Sequence, residues 1–435
     1  MERRKFLAAL AGGCAAPLWS QSRRPNVVIF LTDDMGYADI GSFGATEIKT
    51  PHTDRLAREG IKFTHCYSNG PVCTPTRAAL MTGRYQQRVG LEWAITPKDK
   101  GIGLPVRETT IAAMLKGAGY RTALFGKWHL GWEREFGPNA HGFEEFFGLL
   151  GGNHDFYSHR NIEGTLDLWE NTVAVERSGY TTDLIAERAE KWVDQHAREP
   201  FFLYVAFNAV HWPFQAPGRP EDVRQRATWT AGNRADYIRM VESMDQAVGR
   251  VLAALDRNGV ARDTLVIFTN DNGGERLSDN RPLFHHKGTL WEGGIRVPGL
   301  MRWPSRIPAG KTTEQVAASM DFAATVLAAA GVQPPAGRAL DGIDLLPVAE
   351  GKKSSIERTL CWRINRDERK QRAVRKGKWK YIRDGSIELL FDLSKDPGER
   401  DNLGYRHPEI LAQLRETLAV WEREMASSKP PFLLQ

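Results

Sequence analysis

The sequence predicts an α/β fold, a doubly wound and largely parallel sheet flanked by helices, with a small antiparallel α+β module closing the chain. Four continuous apolar runs, at residues 27–31, 122–125, 201–205 and 265–268, read as strands buried on both faces, as parallel strands are. Amphipathic stretches lie between them. The clearest carries Tyr237, Val241, Met244, Val248, Val251 and Leu255 on one stripe and stops at Asn258-Gly259. Strands alternating with helices argue a doubly wound sheet. Past residue 350 the style changes to short strands at 359–364, 372–375, 379–382 and 389–393. Turns at Lys376-Gly377 and Asp384-Gly385 separate them, and a helix at 407–425 follows with Ile410, Leu414, Leu418 and Trp421 inward.

The chain has 435 residues, 41% hydrophobic and 26% charged, which suits a globular protein and excludes a disordered or multi-span membrane chain. Three units are expected: an export signal at 1–24, a catalytic domain at 25–350 and an α+β subdomain at 351–435. Arg3-Arg4-Lys5-Phe6-Leu7 ahead of a mild apolar stretch resembles a twin-arginine signal, which addresses a folded protein to the periplasm or beyond. Cys14 after Gly12-Gly13 offers a weaker lipid-anchoring site. No later run is long enough to span a membrane. Of the net charge of +6, +4 lies in the first 24 residues, so the body has no basic stripe for nucleic acid. Cys14, Cys66, Cys73 and Cys361 are too few and scattered for a disulfide framework or a zinc knuckle.

In an open parallel sheet, ligands bind beyond the carboxyl ends of the strands. There the four runs lead into Asp33-Asp34, Lys127-Trp128-His129, Asn208 with His211, and Asp271-Asn272-Gly273-Gly274. Any one of these could be a turn or a cap; all four at one edge make a site. Asp33, Asp34, Asp271 and Asn272 form a hard, oxygen-rich set that suits Ca²⁺, with Mg²⁺ as the alternative. Between the first two runs lies Pro71-Val72-Cys73-Thr74-Pro75-Thr76-Arg77, followed by Leu80-Met81-Thr82-Gly83. Thr74 is the expected N-cap of a short helix with Pro75 at its first position and Gly83 at its end. Cys73 then stands at the positive end of a helix dipole with Arg77 one turn inside, a place for an anion or a nucleophile.

Cys73-x-Pro75-x-Arg77 with its trailing Leu-Met-Thr-Gly resembles the signature of the type I sulfatases, in the alkaline phosphatase superfamily. The stretch from Gly119 to Gly131, Asp33-Asp34-Met35-Gly36-Tyr37, Thr269 to Gly273, and Lys287 to Gly294 resemble further family motifs, in the expected order. Asp396-Pro397-Gly398-Glu399 and Asn402-Leu403 resemble its closing module. Thr76 and Asn270 stand where the family often has Ser.

The resemblance implies an alkaline-phosphatase-like large mixed, mostly parallel sheet. It also implies that a maturation enzyme oxidises Cys73 to formylglycine, an aldehyde whose hydrate is a geminal diol. One hydroxyl attacks sulfur and expels the alcohol; the second is deprotonated, and collapse to the aldehyde ejects sulfate. Carried over by motif, Asp33, Asp34, Asp271, Asn272 and residue 73 hold the metal, and Arg77 and Lys127 stabilise the diol. His129 is the base of the collapse step. His211 and Lys287 bind sulfate, and either protonates the leaving oxygen.

The substrate expected is a sulfate monoester on a carbohydrate. The loop from Gly151 to His159, with His154, and His286 beside Lys287 are candidates to line sugar subsites. Two rivals accompany this reading: a phosphate or phosphonate ester hydrolase on the same fold, and a sulfated-glycan binding protein without turnover. The sequence is silent on oligomeric state.

Overall fold

The four apolar runs lie side by side. In the computed structural model, which describes residues 24–220, 229–366 and 369–427, they are the core of a large sheet. The strands are β1 (Asn26–Thr32), β2 (Ile61–Tyr67), β3 (Arg121–Lys127), β4 (Glu145–Leu149), β5 (Trp169–Glu170), β6 (Val173–Ala174), β7 (Phe201–Ala206), β8 (Thr264–Asn270), β9 (Arg296–Arg302), β10 (Lys311–Thr313), β11 (Ala317–Ala318), β12 (Thr359–Arg366), β13 (Arg369–Lys376), β14 (Trp379–Asp384) and β15 (Ile387–Asp392). The helices are α1 (Pro51–Glu59), α2 (Cys73–Thr82), α3 (Ile111–Gly117), α4 (Thr181–His196), α5 (Arg234–Arg257), α6 (Glu292–Ile295), α7 (Ser319–Ala330), α8 (Leu346–Ala349) and α9 (Pro408–Ser427).

Strand order in the large sheet is β10-β2-β9-β8-β1-β7-β3-β4-β5-β6, with β11 also on β2. The central block β8-β1-β7-β3-β4 is parallel throughout, so its carboxyl ends open on one edge. β9 enters antiparallel between β8 and β2, which makes the sheet mixed. Alternation divides the core cleanly. Val27, Ile29 and Leu31 face one layer with Leu80 of α2, Leu115 of α3 and Phe322 of α7. Val28 and Phe30 face the other, with Trp192 of α4 and the whole predicted stripe of α5. Asn233 caps α5 through its side chain, accepting from the Asp236 amide at 2.9 Å, and Gly259 at φ 68° turns the chain away.

β12 to β15 form the antiparallel module, with tight turns at Gly377 and Gly385. Its face and α9 bury Trp362, Tyr381, Leu414, Leu418 and Trp421 against Tyr67, Leu290 and Ile295 of the larger unit. The Trp362 indole N–H donates to the Ser68 carbonyl at 2.9 Å. Among the described residues no helix is long and apolar enough to cross a membrane. The leader, with Cys14, lies outside the described residues save for Arg24.

Leu418 is 2% exposed, so Leu418→Ala should cost about 3 kcal/mol by lost transfer energy plus cavity. Chemical denaturation followed by circular dichroism should show this as a lower midpoint. An unmoved midpoint would mean that α9 does not pack as described.

Candidate active site

Each strand of the parallel block delivers its polar residues to the open edge. Asp33 and Asp34 follow β1, with Asp34 at φ 59°, while Lys127 ends β3 and His129 follows at φ 57°. His211 follows β7; Asp271 and Asn272 follow β8. Helix α2 points its first turn at this cluster. The helix starts two residues earlier than the sequence suggested, with Val72 as N-cap and Cys73 as the first helical residue. Thr74 is not the cap because its hydroxyl is already used, donating to the His129 carbonyl at 3.0 Å and accepting from the Ile95 amide at 3.2 Å. Cys73 nevertheless occupies the positive end of the helix, and Gly83 at φ 68° closes it as expected.

The geometry is a set of paired charges. Lys127 Nζ lies 2.5 Å from Asp33 Oδ2, Lys287 Nζ lies 2.6 Å from Asp34 Oδ2, and Arg77 Nη2 lies 2.8 Å from Asp271 Oδ2. Arg77 also donates to the Lys127 carbonyl at 2.9 Å. Cys73 Sγ is 3.5 Å from Asp33 Oδ1, and His211 Nε2 is 3.5 Å from Asp34 Oδ2. Asp33, Asp34, Asp271, Asn272, Arg77 and Lys127 are all 0–1% exposed, so none of these charges is solvated.

Burial sets the proton affinities. It pushes Asp33 up to about 7, with Asp271 adding to the rise and Lys127 opposing it. Asp34 is held at about 2: burial would raise it, but Lys287, His211 and the Asn272 amide prevail. Burial and the nearby carboxylates of Asp271 and Asp33 push the Cys73 thiol up, so Cys73 is no ready thiolate. His129 and His211 are pushed down by burial and by Lys127 and Lys287 respectively, which makes both neutral. Their hydrogen bonds then fix the tautomers. His129 Nε2 donates to the Ile95 carbonyl at 2.8 Å, which leaves Nδ1, buried and without a partner, as the basic nitrogen. His211 Nδ1 donates to the Trp212 carbonyl at 2.7 Å, so Nε2 is its free valence.

A model of the family described as sulfatase matches residues 25–332, and one described as N-sulphoglucosamine sulphohydrolase, C-terminal, matches residues 282–424. The chain is 33% identical to N-acetylgalactosamine-6-sulfatase of Sus scrofa, over 93% of this chain and 87% of that protein. It is 36% identical to arylsulfatase A of Bos taurus, over 91% and 85%. The solved structure of Ps i-CgsB in complex with k-i-k-neocarrahexaose superposes with a TM-score of 0.85 at 30% identity, covering 92% of this chain and 93% of that one. This chain belongs to the sulfatase family.

The sulfatase is thus a sulfuric ester hydrolase on an alkaline-phosphatase-like fold. Its site has the donors for a metal ion. Ligand atoms of Asp33, Asp34, Cys73 and His211 lie within 4.8 Å of one another. Asn272 donates its amide to Asp34 Oδ1 at 2.8 Å, while its own Oδ1 is buried with no partner, an acceptor left for a cation. Asp271 turns one oxygen to Arg77, and its other accepts weakly from the Asp34 amide at 3.4 Å.

Cys73, His129, His211 and Lys287 open onto one cavity of about 550 Å³, walled by Trp132, Trp212, Asn153 and Asn161. The structure does not bring His154 there. It is 0% exposed, and both ring nitrogens are engaged, with the Asp167 carbonyl at 2.8 Å and Thr181 Oγ1 at 2.9 Å. His286 is exposed but lines a neighbouring depression with Glu275 and Asn280, its Nδ1 turned to the Lys287 carbonyl. In the loop from Gly151 to His159 it is Gly152 and Asn153 that reach the cavity, Asn153 lying 3.5 Å from His211 Nδ1. Sequence reasoning missed Trp132, Asn161 and the Ile95 carbonyl. A wall aromatic looks like a core aromatic, and a backbone carbonyl has no side-chain signature.

Burial first, and then His159, lowers His154 to about 3, opposed only by its bond to Asp167. The unfolded imidazole titrates near ~6.5. The unfolded state therefore takes up the proton first, and stability present above ~6.5 is lost as pH falls from there toward 3. Between pH 7 and 5 this group should cost about 2 kcal/mol. Urea unfolding of wild type and His154→Gln at both pH values checks it: the variant should lose less stability on acidification, and equal losses would contradict the assignment.

Proposed function

We propose that this sulfatase hydrolyses a sulfate monoester on a sulfated carbohydrate, with formylglycine made from Cys73 and with Ca²⁺ at Asp33, Asp34, Asp271 and Asn272. The observation that carries the reading is Cys73 Sγ, 3.5 Å from Asp33 Oδ1, on the floor of a cavity walled by two tryptophans and two asparagines. Aromatic faces with a few polar groups suit a sugar ring. The relatives point the same way, one named for N-acetylgalactosamine-6-sulfate and one solved with a carrageenan oligosaccharide. Residues 25–350 are read as the catalytic domain and 351–435 as its subdomain. The twin-arginine-like leader is read as sending the folded protein to the periplasm or outside, where sulfated polysaccharides are met.

When bound, the divalent ion supplies positive charge against sulfate oxygens. The aldehyde hydrate at residue 73 supplies an oxygen nucleophile whose second hydroxyl allows sulfate to leave. The rest falls to this chain's own residues. Arg77 and Lys127, each pinned by a carboxylate, fix positive charge around residue 73 without reorganising during reaction. His129 takes a proton at Nδ1, since Nε2 is committed to the Ile95 carbonyl. Lys287 and His211 bind the sulfate group. Either Lys287, an ammonium paired with Asp34, or His211, once its bare Nε2 has taken up a proton, hands a proton to the leaving oxygen.

Mass spectrometry of tryptic peptide 63–77 from active enzyme should find an aldehyde at residue 73 and a thiol at Cys66, an internal control. Cys73→Ala should lose roughly three orders of magnitude or more in turnover of 4-nitrophenyl sulfate. The parent enzyme should favour that ester over 4-nitrophenyl phosphate, and should desulfate N-acetylgalactosamine 6-sulfate or a carrageenan hexasaccharide. An unmodified thiol in active protein would sink the mechanism. A preference for phosphate would favour the phosphoester rival, and activity confined to aryl esters would remove the carbohydrate.

A further inference from the structure

Lys287 reaches the reacting centre from a loop that the antiparallel module grips at two points. The Leu290 amide donates to Gln371 Oε1 of β13 at 2.9 Å, and the Glu292 amide donates to Glu399 Oε2 at 2.6 Å. Lys380 Nζ of β14 completes the grip, 2.9 Å from Glu292 Oε1 and 2.8 Å from Glu399 Oε1. Tyr67 donates to Glu292 Oε2 at 2.8 Å, and Arg375 of β13 donates to that tyrosine oxygen. Glu292 and Lys380 are 0% exposed and Glu399 5%, so this is a buried ionic knot between the two units. Its members are held stiffly. Glu399 sits at φ 54°, a left-handed backbone uncommon for glutamate, which persists only where the surroundings enforce it.

The gripped loop touches the centre twice more. The Gly288 amide donates to the Pro71 carbonyl at 2.8 Å, two residues before Cys73. The Gly273 amide, next to Asn272, donates to the Gly294 carbonyl at 2.9 Å. A Cβ on Gly273 would lie 1.9 Å from the Gly293 carbonyl oxygen, so the two segments have no slack between them. Displacement of Glu292 is therefore passed to Lys287, to the residue 73 turn and to the Asn272 loop together.

We infer that Gln371, Lys380 and Glu399 are positioning residues of the reaction, which hold the loop carrying Lys287 against the sulfate site, although none of them reaches the cavity. This rests on the sulfatase reading. A buried ionic group with one partner removed leaves uncompensated charge, so the knot tolerates only charge-conserving change.

The test uses full-length enzyme, 4-nitrophenyl sulfate as substrate and inorganic sulfate as inhibitor. Lys380→Met should raise both KM and the sulfate inhibition constant tenfold or more, and Lys380→Arg should recover most of the loss. Should Lys380→Met not fold, Gln371→Met, which removes the acceptor of the Leu290 amide and a donor to Asp384 but no charge, should raise the sulfate constant about threefold. Leu418→Ala, in the same module but away from the knot, gives the comparison for general destabilisation. An unmoved sulfate constant in folded Lys380→Met or Gln371→Met, or an equal shift in Leu418→Ala, would overturn the inference while wild-type turnover leaves the sulfatase reading standing. Absence of turnover of both 4-nitrophenyl sulfate and the sugar sulfates in the wild type would sink both.

Discussion

Three buried carboxylates at the tips of two adjacent strands are the constraint on which the rest of the structure depends. Asp33, Asp34 and Asp271 stand where the parallel pair β1 and β8 ends, out of reach of water. Such a group is strongly disfavoured unless cations compensate it. Lys127, Lys287 and Arg77 come from three separate segments, and each closes on one carboxylate. The orphaned oxygen of Asn272 marks the place left for a further positive charge. Fold and site thus specify each other: the parallel block lines up the strand ends, and the charge pairs fix the loops that follow them.

The same constraint explains why a cysteine here is not an ordinary reactive thiol. A thiolate at residue 73 would add a fourth negative charge to the cluster, and burial together with Asp33 and Asp271 holds the proton on sulfur. An oxygen nucleophile made by modification avoids that difficulty. In the proposed reaction, the cations that pair the carboxylates would then be the ones that face the sulfate.

The central strands were legible because strands buried on both faces are apolar without interruption, and the polar residues after them had nowhere to go but the shared edge. β9 was not legible. It carries Pro298 and Gly299, which weaken any strand signal, and Gly299 is needed because a Cβ there would lie 2.7 Å from the Cys66 Cβ. The aspartates and Lys127 were legible as types at strand ends, and Arg77 and Lys287 through the motifs that carry them, but their hydrogen bonds were not. The tautomer of His129 depends on a carbonyl 34 residues away, and the grip on Leu290 comes from a glutamine 81 residues on. His154 misled because its loop looks like a sugar-binding surface, while its ring is spent tying that loop to the Asp167 carbonyl and to Thr181 at the start of α4.

The closing module gains meaning from the same contacts. Lys380 and Glu399 complete a second buried ionic group, and its geometry passes along a short loop to Lys287. The central claim is that the strand-tip carboxylates and Asn272 together hold a divalent cation beside residue 73. Anomalous diffraction from crystals grown with calcium addresses it directly. The account predicts one peak coordinated by Asp33, Asp34, Asp271 and Asn272 Oδ1 at about 2.3–2.6 Å. A cation bound elsewhere, or one that leaves the Asn272 oxygen unligated, would contradict it.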